Sequence, residues 1–263
     1  MFDTHRVVVL GGGDLATGVV ARLHRAGFPV AVIELAEPLT VRRTVAVSTA
    51  VRERTATVED IRAVRVDDPS QAWSVAASGV VPVLVEAQPA SLGPRIVVDA
   101  RMAKRNLGVS TDDADLVIGL GPGFTAGVDC HAVIETARGA RLGRVIHVGP
   151  ALPNTGRPGE VAGRSDDRVL RAPVTGEVHW TAAIGDVVSE QQVLGRVADT
   201  AILAPFPGVV RGLIADGITV PAGIKIGDVD PRPDTDCSLI SDKALAVGGG
   251  VLEAVLRWIS ATS

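Results

Sequence analysis

Apolar residues run without alternation through residues 7–10 and 30–33, the pattern of parallel strands buried on both faces. Between them, residues 15–26 carry apolar side chains at helical spacing, which predicts a strand, a helix and a second strand. Residues 80–86, 95–99 and 116–120 read as further buried strands. A parallel sheet with crossover connections follows, a Rossmann-like α/β domain expected over residues 1–165. Beyond it the period changes to short strands broken by glycines, over 166–233. The last segment, 234–263, predicts a helix capped by Ser241 and packing on the first domain. Gly248-Gly249-Gly250 inside that helix predicts either a close approach to a neighbour or a break.

The junction of the first strand and helix reads Leu10-Gly11-Gly12-Gly13-Asp14-Leu15-Ala16, and Gly11, Gly13 and Ala16 fit G-x-G-x-x-A. In that pattern Gly11 permits the turn, Gly13 clears room for a phosphate and Ala16 lets helix and strand pack closely. The helix start at Asp14 and Leu15 then offers free amides to an anion. Glu34 closes the second strand where an acid accepts ribose hydroxyls in dinucleotide sites. Arg42 and Arg43 follow it closely enough to meet a 2′-phosphate instead, so NAD and NADP are not separated. The same glycines would also serve a plain turn.

The strand ending at Asp99 is followed by Arg101, Lys104 and Arg105. Ligands of open α/β sheets bind beyond the carboxyl ends of strands, so Arg101 and Lys104 are expected to hold phosphate there, unless they begin a solvated basic helix. A second glycine-rich loop, Gly119-Leu120-Gly121-Pro122-Gly123-Phe124-Thr125, offers further amides at Gly121 and Gly123 and a hydroxyl at Thr125. Asp129, Cys130 and His131 follow, but adjacent strand residues face opposite ways and do not form a catalytic pair.

Residues 172–197 repeat at an offset of 32 as 204–229, with nine of 26 aligned positions identical. Ala172-Pro173, Gly176, Val178, Gly185, Val188, Gly195 and Val197 all recur. The module resembles the biotinyl and lipoyl carrier domains, whose halves carry Ala-Pro-x-x-Gly-x-Val and Gly-Asp-x-Val elements. The resemblance implies a barrel-sandwich β module. Those carriers place a modifiable lysine on the hairpin between the halves, where this chain reads Ala198-Asp199-Thr200-Ala201-Ile202-Leu203. A swinging arm is therefore not expected; docking or capping is.

Composition narrows the field. The 263 residues carry a net charge of −4, are 46% hydrophobic and only 3% aromatic, which gives no basic, aromatic nucleic-acid surface. No uninterrupted apolar run reaches the roughly 18 residues of a bilayer span, and the N-terminus leads straight into the first strand, so neither membrane nor export is expected and a cytoplasmic location is. Lys104, Lys225 and Lys243 are the three lysines among 26 basic residues. Cys130 and Cys237 are too few for a disulfide framework or a metal site. Cys237 precedes a helix start, where a thiol pKa can fall.

Several segments together resemble the YqeB family, described as selenium-dependent molybdenum hydroxylase system proteins. They are residues 13–18, 99–104, 118–127, Val133-Ile134-Glu135-Thr136, residues 142–146, 225–232, Ile240-Ser241-Asp242-Lys243-Ala244 and residues 249–254. The chain departs from the family at Arg138-Gly139-Ala140, where a histidine is expected in the third place. The first half is also similar to XdhC accessory proteins, which handle the molybdenum cofactor.

The resemblance implies an accessory protein for maturation of a molybdenum hydroxylase, with the hydroxylase or its maturation proteins as partners. Its ligand would be a nucleotide or pterin, with molybdopterin or NAD(P) as cofactor candidates, bound by Gly11, Gly12, Gly13, Asp14, Leu15, Glu34, Arg101, Lys104, Gly121, Gly123 and Thr125. Any catalysis, such as sulfur or selenium transfer, would fall to Lys104 or Cys237. An NAD(P)-dependent oxidoreductase and a non-enzymatic docking scaffold are the two alternatives. A homo-oligomer is compatible with either.

Overall fold

The computed structural model describes residues 2–154, 156, 163, 164 and 166–262; residue 165, the expected domain boundary, lies outside them. The chain forms two compact units. One comprises Met1–Pro38, Ala46–Asn154 and Ile240–Ser263, the other Leu39–Val45 and Thr155–Leu239.

The first unit is built on a nine-stranded, mostly parallel sheet. Its strands are β1 (Val7–Leu10), β2 (Val30–Glu34), β3 (Thr55–Val58), β4 (Ile61–Arg65), β5 (Val81–Val85), β6 (Ile96–Asp99), β7 (Leu116–Leu120), β9 (Ala132–Ile134) and β10 (Val145–Ile146). A short separate pair joins β8 (Thr125–Ala126) to β11 (Gly149–Pro150). The order across the sheet is β10-β9-β7-β6-β1-β2-β5-β4-β3, and only the edge strands β3 and β10 run antiparallel. Unbroken apolar runs do lie at the centre: every residue of β1, β6 and β7 is buried. The β3–β4 hairpin escapes the sequence pattern because β3 alternates exposed and buried positions and has no long apolar run.

From β1 the chain builds outward to β2, β5, β4 and β3, then returns to place β6 on the other side of β1. Strand order therefore reverses between β1 and β6, which is where open α/β sheets hold their ligands.

Helix α1 (Asp14–Arg25) crosses from β1 to β2, and two short helices, α2 (Ala50–Glu53) and α3 (Ala72–Ala77), lie in the connections from β2 to β5. Helix α4 (Asp242–Thr262) closes the chain and packs on α1. Ser241 caps it, its hydroxyl accepting from the Ala244 amide at 3.1 Å. The three consecutive glycines do not break it. A methyl at Gly18 would stand 2.3 Å from the Ala244 carbonyl oxygen, and methyls at Gly248 and Gly250 would stand 2.2 and 2.1 Å from the oxygens of Gly18 and Gly143. These glycines let backbones touch. By length and composition α4 is long and apolar enough to span a bilayer, but Ala244, Val247, Gly248, Gly250, Val251, Ala254 and Val255 are buried within the unit.

In the second unit the sequence repeat becomes a structural one. Strands β13 (Gly176–Trp180), β14 (Val187–Val188) and β15 (Val193–Val197) recur 32 residues later as β17 (Gly208–Leu213), β18 (Thr219–Val220) and β19 (Lys225–Asp230), and β12 (Val169–Arg171) is matched by β16 (Thr200–Leu203). They form two four-stranded sheets, β12-β19-β17-β14 and β16-β15-β13-β18. Each sheet takes its two central strands from one repeat and both edge strands, β12 and β14 or β16 and β18, from the other. The exchange is reciprocal in hydrogen bonding too: the Gly185 amide donates to the Val210 carbonyl and the Gly217 amide to that of Val178, both at 2.8 Å. The core pairs repeat positions, Ala172 with Ala204, Val178 with Val210, Leu194 with Ile226, and Val197 with Val229.

Candidate ligand site at the sheet switch point

Leu10 of β1 lies opposite Asp99 of β6, Asp99 opposite Gly119 of β7, and Leu120 opposite Ile134 of β9. The carboxyl ends of four adjacent strands thus gather the Gly11–Gly13 loop, the Asp99–Arg105 loop, the Gly121–Thr125 loop and Glu135 along one edge. Glu34 joins them from β2, whose Ile33 pairs with Leu10.

Gly11 takes a φ of +90°, and a side chain there would press on the Arg101 backbone at 3.2 Å. Gly12 is crowded differently: its carbonyl accepts from the Ser48 amide at 2.9 Å, and a methyl on it would come within 3.0 Å of that nitrogen. The missing side chain of Gly12 therefore makes room for protein. Thr17 ties the same segment to the loop, its hydroxyl donating to the Gly13 carbonyl at 2.9 Å and accepting from the Val47 amide at 3.0 Å.

The Gly12 amide donates to the Glu34 carboxylate at 2.7 Å. The loop's middle amide is committed to an acid of the protein itself. Gly13 caps α1 without any side-chain hydrogen bond, so the first-turn amides at Asp14 and Leu15 are the groups that a helix start presents to a ligand. Asp14 sits in that turn and brings a second negative charge beside Glu34.

Arg101 folds back onto buried Asp99, its Nε 3.0 Å from Oδ1 and 3.1 Å from Oδ2 and its Nη2 also bonded to that carboxylate. Its charge is neutralised at the strand end. The segment after it is a loop, not a basic helix, and both Met102 and Lys104 adopt left-handed conformations, φ 55° and 62°, which cost about 1 kcal/mol or more each. Lys104 itself is exposed. Gly123 packs against this loop so closely that a methyl there would lie 2.5 Å from the Arg105 nitrogen.

The second glycine loop is occupied with its own turn. The Gly121 amide donates to the Ile134 carbonyl at 2.8 Å, and the Thr125 amide to the Asp129 carboxylate at 2.8 Å. Of the groups expected to form an oxyanion cradle, the Gly121 amide is thus committed internally. Arg42 and Arg43 lie outside the first unit. In the second, Arg42 donates to the Leu239 carbonyl at 3.2 Å and Arg43 to the Leu213 carbonyl at 2.8 Å.

Cys237 also belongs to the second unit. Its thiol lies 3.8 Å from the Val210 carbonyl oxygen. Burial pushes its pKa up, and the nearby Arg42 and Arg211 do not reverse the shift. Cys130 is fully buried, and burial drives its pKa to about 11. Neither cysteine carries an activated thiolate. The His131 ring stands 3.0 Å from the Val117 amide, a backbone partner.

Two residues of this edge carried no role in the sequence reading. Glu135 is 1% exposed, and its two oxygens accept from the Ala137 and Leu152 amides at 2.7 and 2.8 Å. Lys243, in the first turn of α4, has its pKa lowered by burial and by Arg138, against the opposing pull of Asp14, Glu135 and Asp242. Their signal was present in Val133-Ile134-Glu135-Thr136 and in Ile240-Ser241-Asp242-Lys243-Ala244, motifs that carried only the family resemblance.

Over 256 residues, 95% of its length, the chain is 47% identical to the uncharacterized protein YqeB of Escherichia coli (strain K12). The similarity supports the YqeB resemblance. The chain spans 47% of that protein, about half its length. No family model matches the chain. Among solved structures, a succinylglutamatedesuccinylase/aspartoacylase from Rhodobacter sphaeroides aligns over 87% of this chain and 86% of its own at 18% identity, with a TM-score of 0.28. The ectoine utilization protein EutE (DoeB) from Ruegeria pomeroyi aligns over 85% of this chain and 52% of its own at 13% identity, with a TM-score of 0.23. Likeness at that level bears on neither activity nor substrate.

Proposed function

We propose that the first unit binds a nucleotide-like or molybdopterin ligand at the β1/β6 switch point, and that the chain acts in maturation of a molybdenum hydroxylase. The pairing of Leu10 with Asp99 carries the binding half of this reading, because it puts the glycine loop at the reversal of strand order. The helix start without a side-chain cap at Gly13 suits one phosphate. Glu34 keeps lone pairs free for hydroxyl or ring N–H donors beyond the two amides it accepts. The maturation half rests on the resemblance to the YqeB family and on the similarity to the Escherichia coli protein. A bound molybdopterin would supply the dithiolene that ligates the metal; the residues at this edge would orient and shield it.

The second unit is read as a barrel-sandwich module akin to biotinyl and lipoyl domains, used to dock a hydroxylase or a maturation protein. Its reciprocal sheets favour that reading, and the hairpin turn at Ala198 and Asp199 has no lysine to modify. A docking scaffold without ligand is the second reading for the whole chain, favoured by the internal use of the Gly12, Gly121 and Thr125 amides.

A thermal-shift titration of wild type and Gly13→Asp with NAD, NADP, CTP, GTP and a molybdopterin preparation separates the readings. A ligand that binds only the native state adds stability as RT ln(1 + [L]/Kd). Stabilisation of wild type alone supports the switch-point site. No shift with any compound leaves the scaffold.

A further inference from the structure

Helix α4 runs alongside α1 in the same direction. At its start Ala244 meets Gly18 on α1. Near its end the Trp258 ring meets His5 edge-on at 6.1 Å and lies 5.0 Å from the Arg95 guanidinium, and both of those residues lie just before the amino ends of β1 and β6. The first turn of α4 therefore stands at the carboxyl edge of the sheet. Asp14 and Gly18 are four residues apart on one face of α1, so the contact at Gly18 brings Lys243 to the turn that opens at Asp14. Arg138 fixes this end of α4 from the other side, donating to Asp242 at 3.1 Å.

A lysine held there is costly, since burial penalises an ammonium, and α4 needs no cation in its first turn, where the helix dipole disfavours one. Among the described residues Lys243 makes no direct ion pair. The buried carboxylate whose charge it feels, Glu135, accepts from two backbone amides. Of the two cations expected to hold phosphate at this edge, Arg101 is neutralised by Asp99 and Lys104 is exposed.

We propose that Lys243 is the cation of the switch-point site and binds the phosphate of the ligand held at the Gly11–Gly13 loop. This rests on the ligand-binding reading of the first unit and adds the residue that recognises the anion. The electrostatics become consistent with it. Glu34 and Asp14 alone would repel a phosphate at the α1 start, and an ammonium beside Asp14 offsets them.

Inorganic pyrophosphate is the probe, measured by calorimetry on wild type, Lys243→Met, Lys243→Arg and Lys225→Met. Lys243→Met is expected to weaken binding about tenfold or more, the factor for one lost charge-assisted hydrogen bond; Lys243→Arg recovers part of it and Lys225→Met binds as wild type. A second measurement needs no variant at position 243. With lysine labelled at the ε-carbon, the three lysines give three NMR signals, assigned through Lys104→Arg and Lys225→Arg. Pyrophosphate should move the Lys243 signal and leave that of Lys225 in place. Equal binding by wild type and Lys243→Met, a fixed Lys243 signal at saturation, or no binding by wild type overturns the proposal. If the nucleotide and pterin panel still stabilises wild type, the switch-point site survives without Lys243; if that panel is silent too, both fall.

Discussion

The Gly12 amide and the Glu34 carboxylate are joined by a 2.7 Å hydrogen bond across β1 and β2, and the other oxygen of Glu34 accepts from the Leu35 amide, also at 2.7 Å. The acid that would meet a ligand's hydroxyls thus also holds the glycine loop in shape. Removing it should damage both. Glu34→Ala is expected to cost about 1–3 kcal/mol, as a half-buried amide loses its acceptor, while Glu34→Gln, which keeps an acceptor oxygen, costs less. Urea unfolding of the two variants beside wild type checks the order.

Helix α4 gives a sharper contrast between neighbouring glycines. At Gly248 a methyl would press into the Gly18 carbonyl, whereas at Gly249 nothing lies within 4 Å. Gly248→Ala should therefore force α1 and α4 apart and cost about 1–3 kcal/mol or more. Gly249→Ala should stabilise by up to about 1 kcal/mol through helix propensity alone. Opposite signs in thermal unfolding, one residue apart, would establish that these glycines serve packing and not flexibility.

What could be read from sequence tracks how local its physical cause is. Strands β1, β2 and β7, α1 and the capped start of α4 follow from unbroken apolar runs, helical spacing and Ser241. The repeat was visible because both copies keep the glycines at which the chain reverses. The neighbour relation of Leu10 and Asp99 was not, because register between strands 89 residues apart in sequence leaves no local trace. Residues 39–54 hide their course for a similar reason. They hold no amphipathic period, and their places depend on partners far along the chain, Ser48 on Gly12 and Arg43 on Leu213. Arg101 was read correctly as a residue of the edge, but a charge in a sequence does not reveal that Asp99, two residues earlier, already neutralises it.

Asp230 sets an acid limit on the second unit. It is fully buried, and although burial alone would raise its pKa, hydrogen bonds from Arg232 and the charge of Arg211 hold it at about 2. The folded pKa lies below the ordinary 3.8, so the cluster stabilises the fold fully above about pH 5 and progressively less as pH falls through 4 towards 2. A shift of that size corresponds to about 2–3 kcal/mol. Thermal melts of wild type across that window should lose stability more steeply than those of Asp230→Asn, which is less stable at neutral pH and lacks this titration.

The two thiols should be slow. Cys130 is inaccessible with a pKa near 11, and that of Cys237 is raised by burial. At pH 7 the native protein is expected to react with iodoacetamide far more slowly than a free thiol does, with Cys237 ahead of Cys130, and both should react readily in denaturant. Fast alkylation of native Cys237 would restore it as a sulfur or selenium carrier. Full hydroxylase activation by Cys237→Ser would remove it from that role.

Thr17 separates hydrogen bonding from packing at the base of the glycine loop. It is fully buried, donates to the Gly13 carbonyl and accepts from the Val47 amide, so one hydroxyl joins the α1 start to the segment lying over Gly12. Thr17→Val keeps the shape and the β-branch but leaves the Val47 amide facing a methyl, which should cost about 1–3 kcal/mol. Thr17→Ser keeps the hydroxyl and gives up one methyl, costing about 1 kcal/mol. Were the loss merely one of packing, serine would be the worse substitution. If the hydroxyl joins the two segments, valine is worse, and amide exchange at Val47 and Ser48 should accelerate in the valine variant before the strands of the sheet respond.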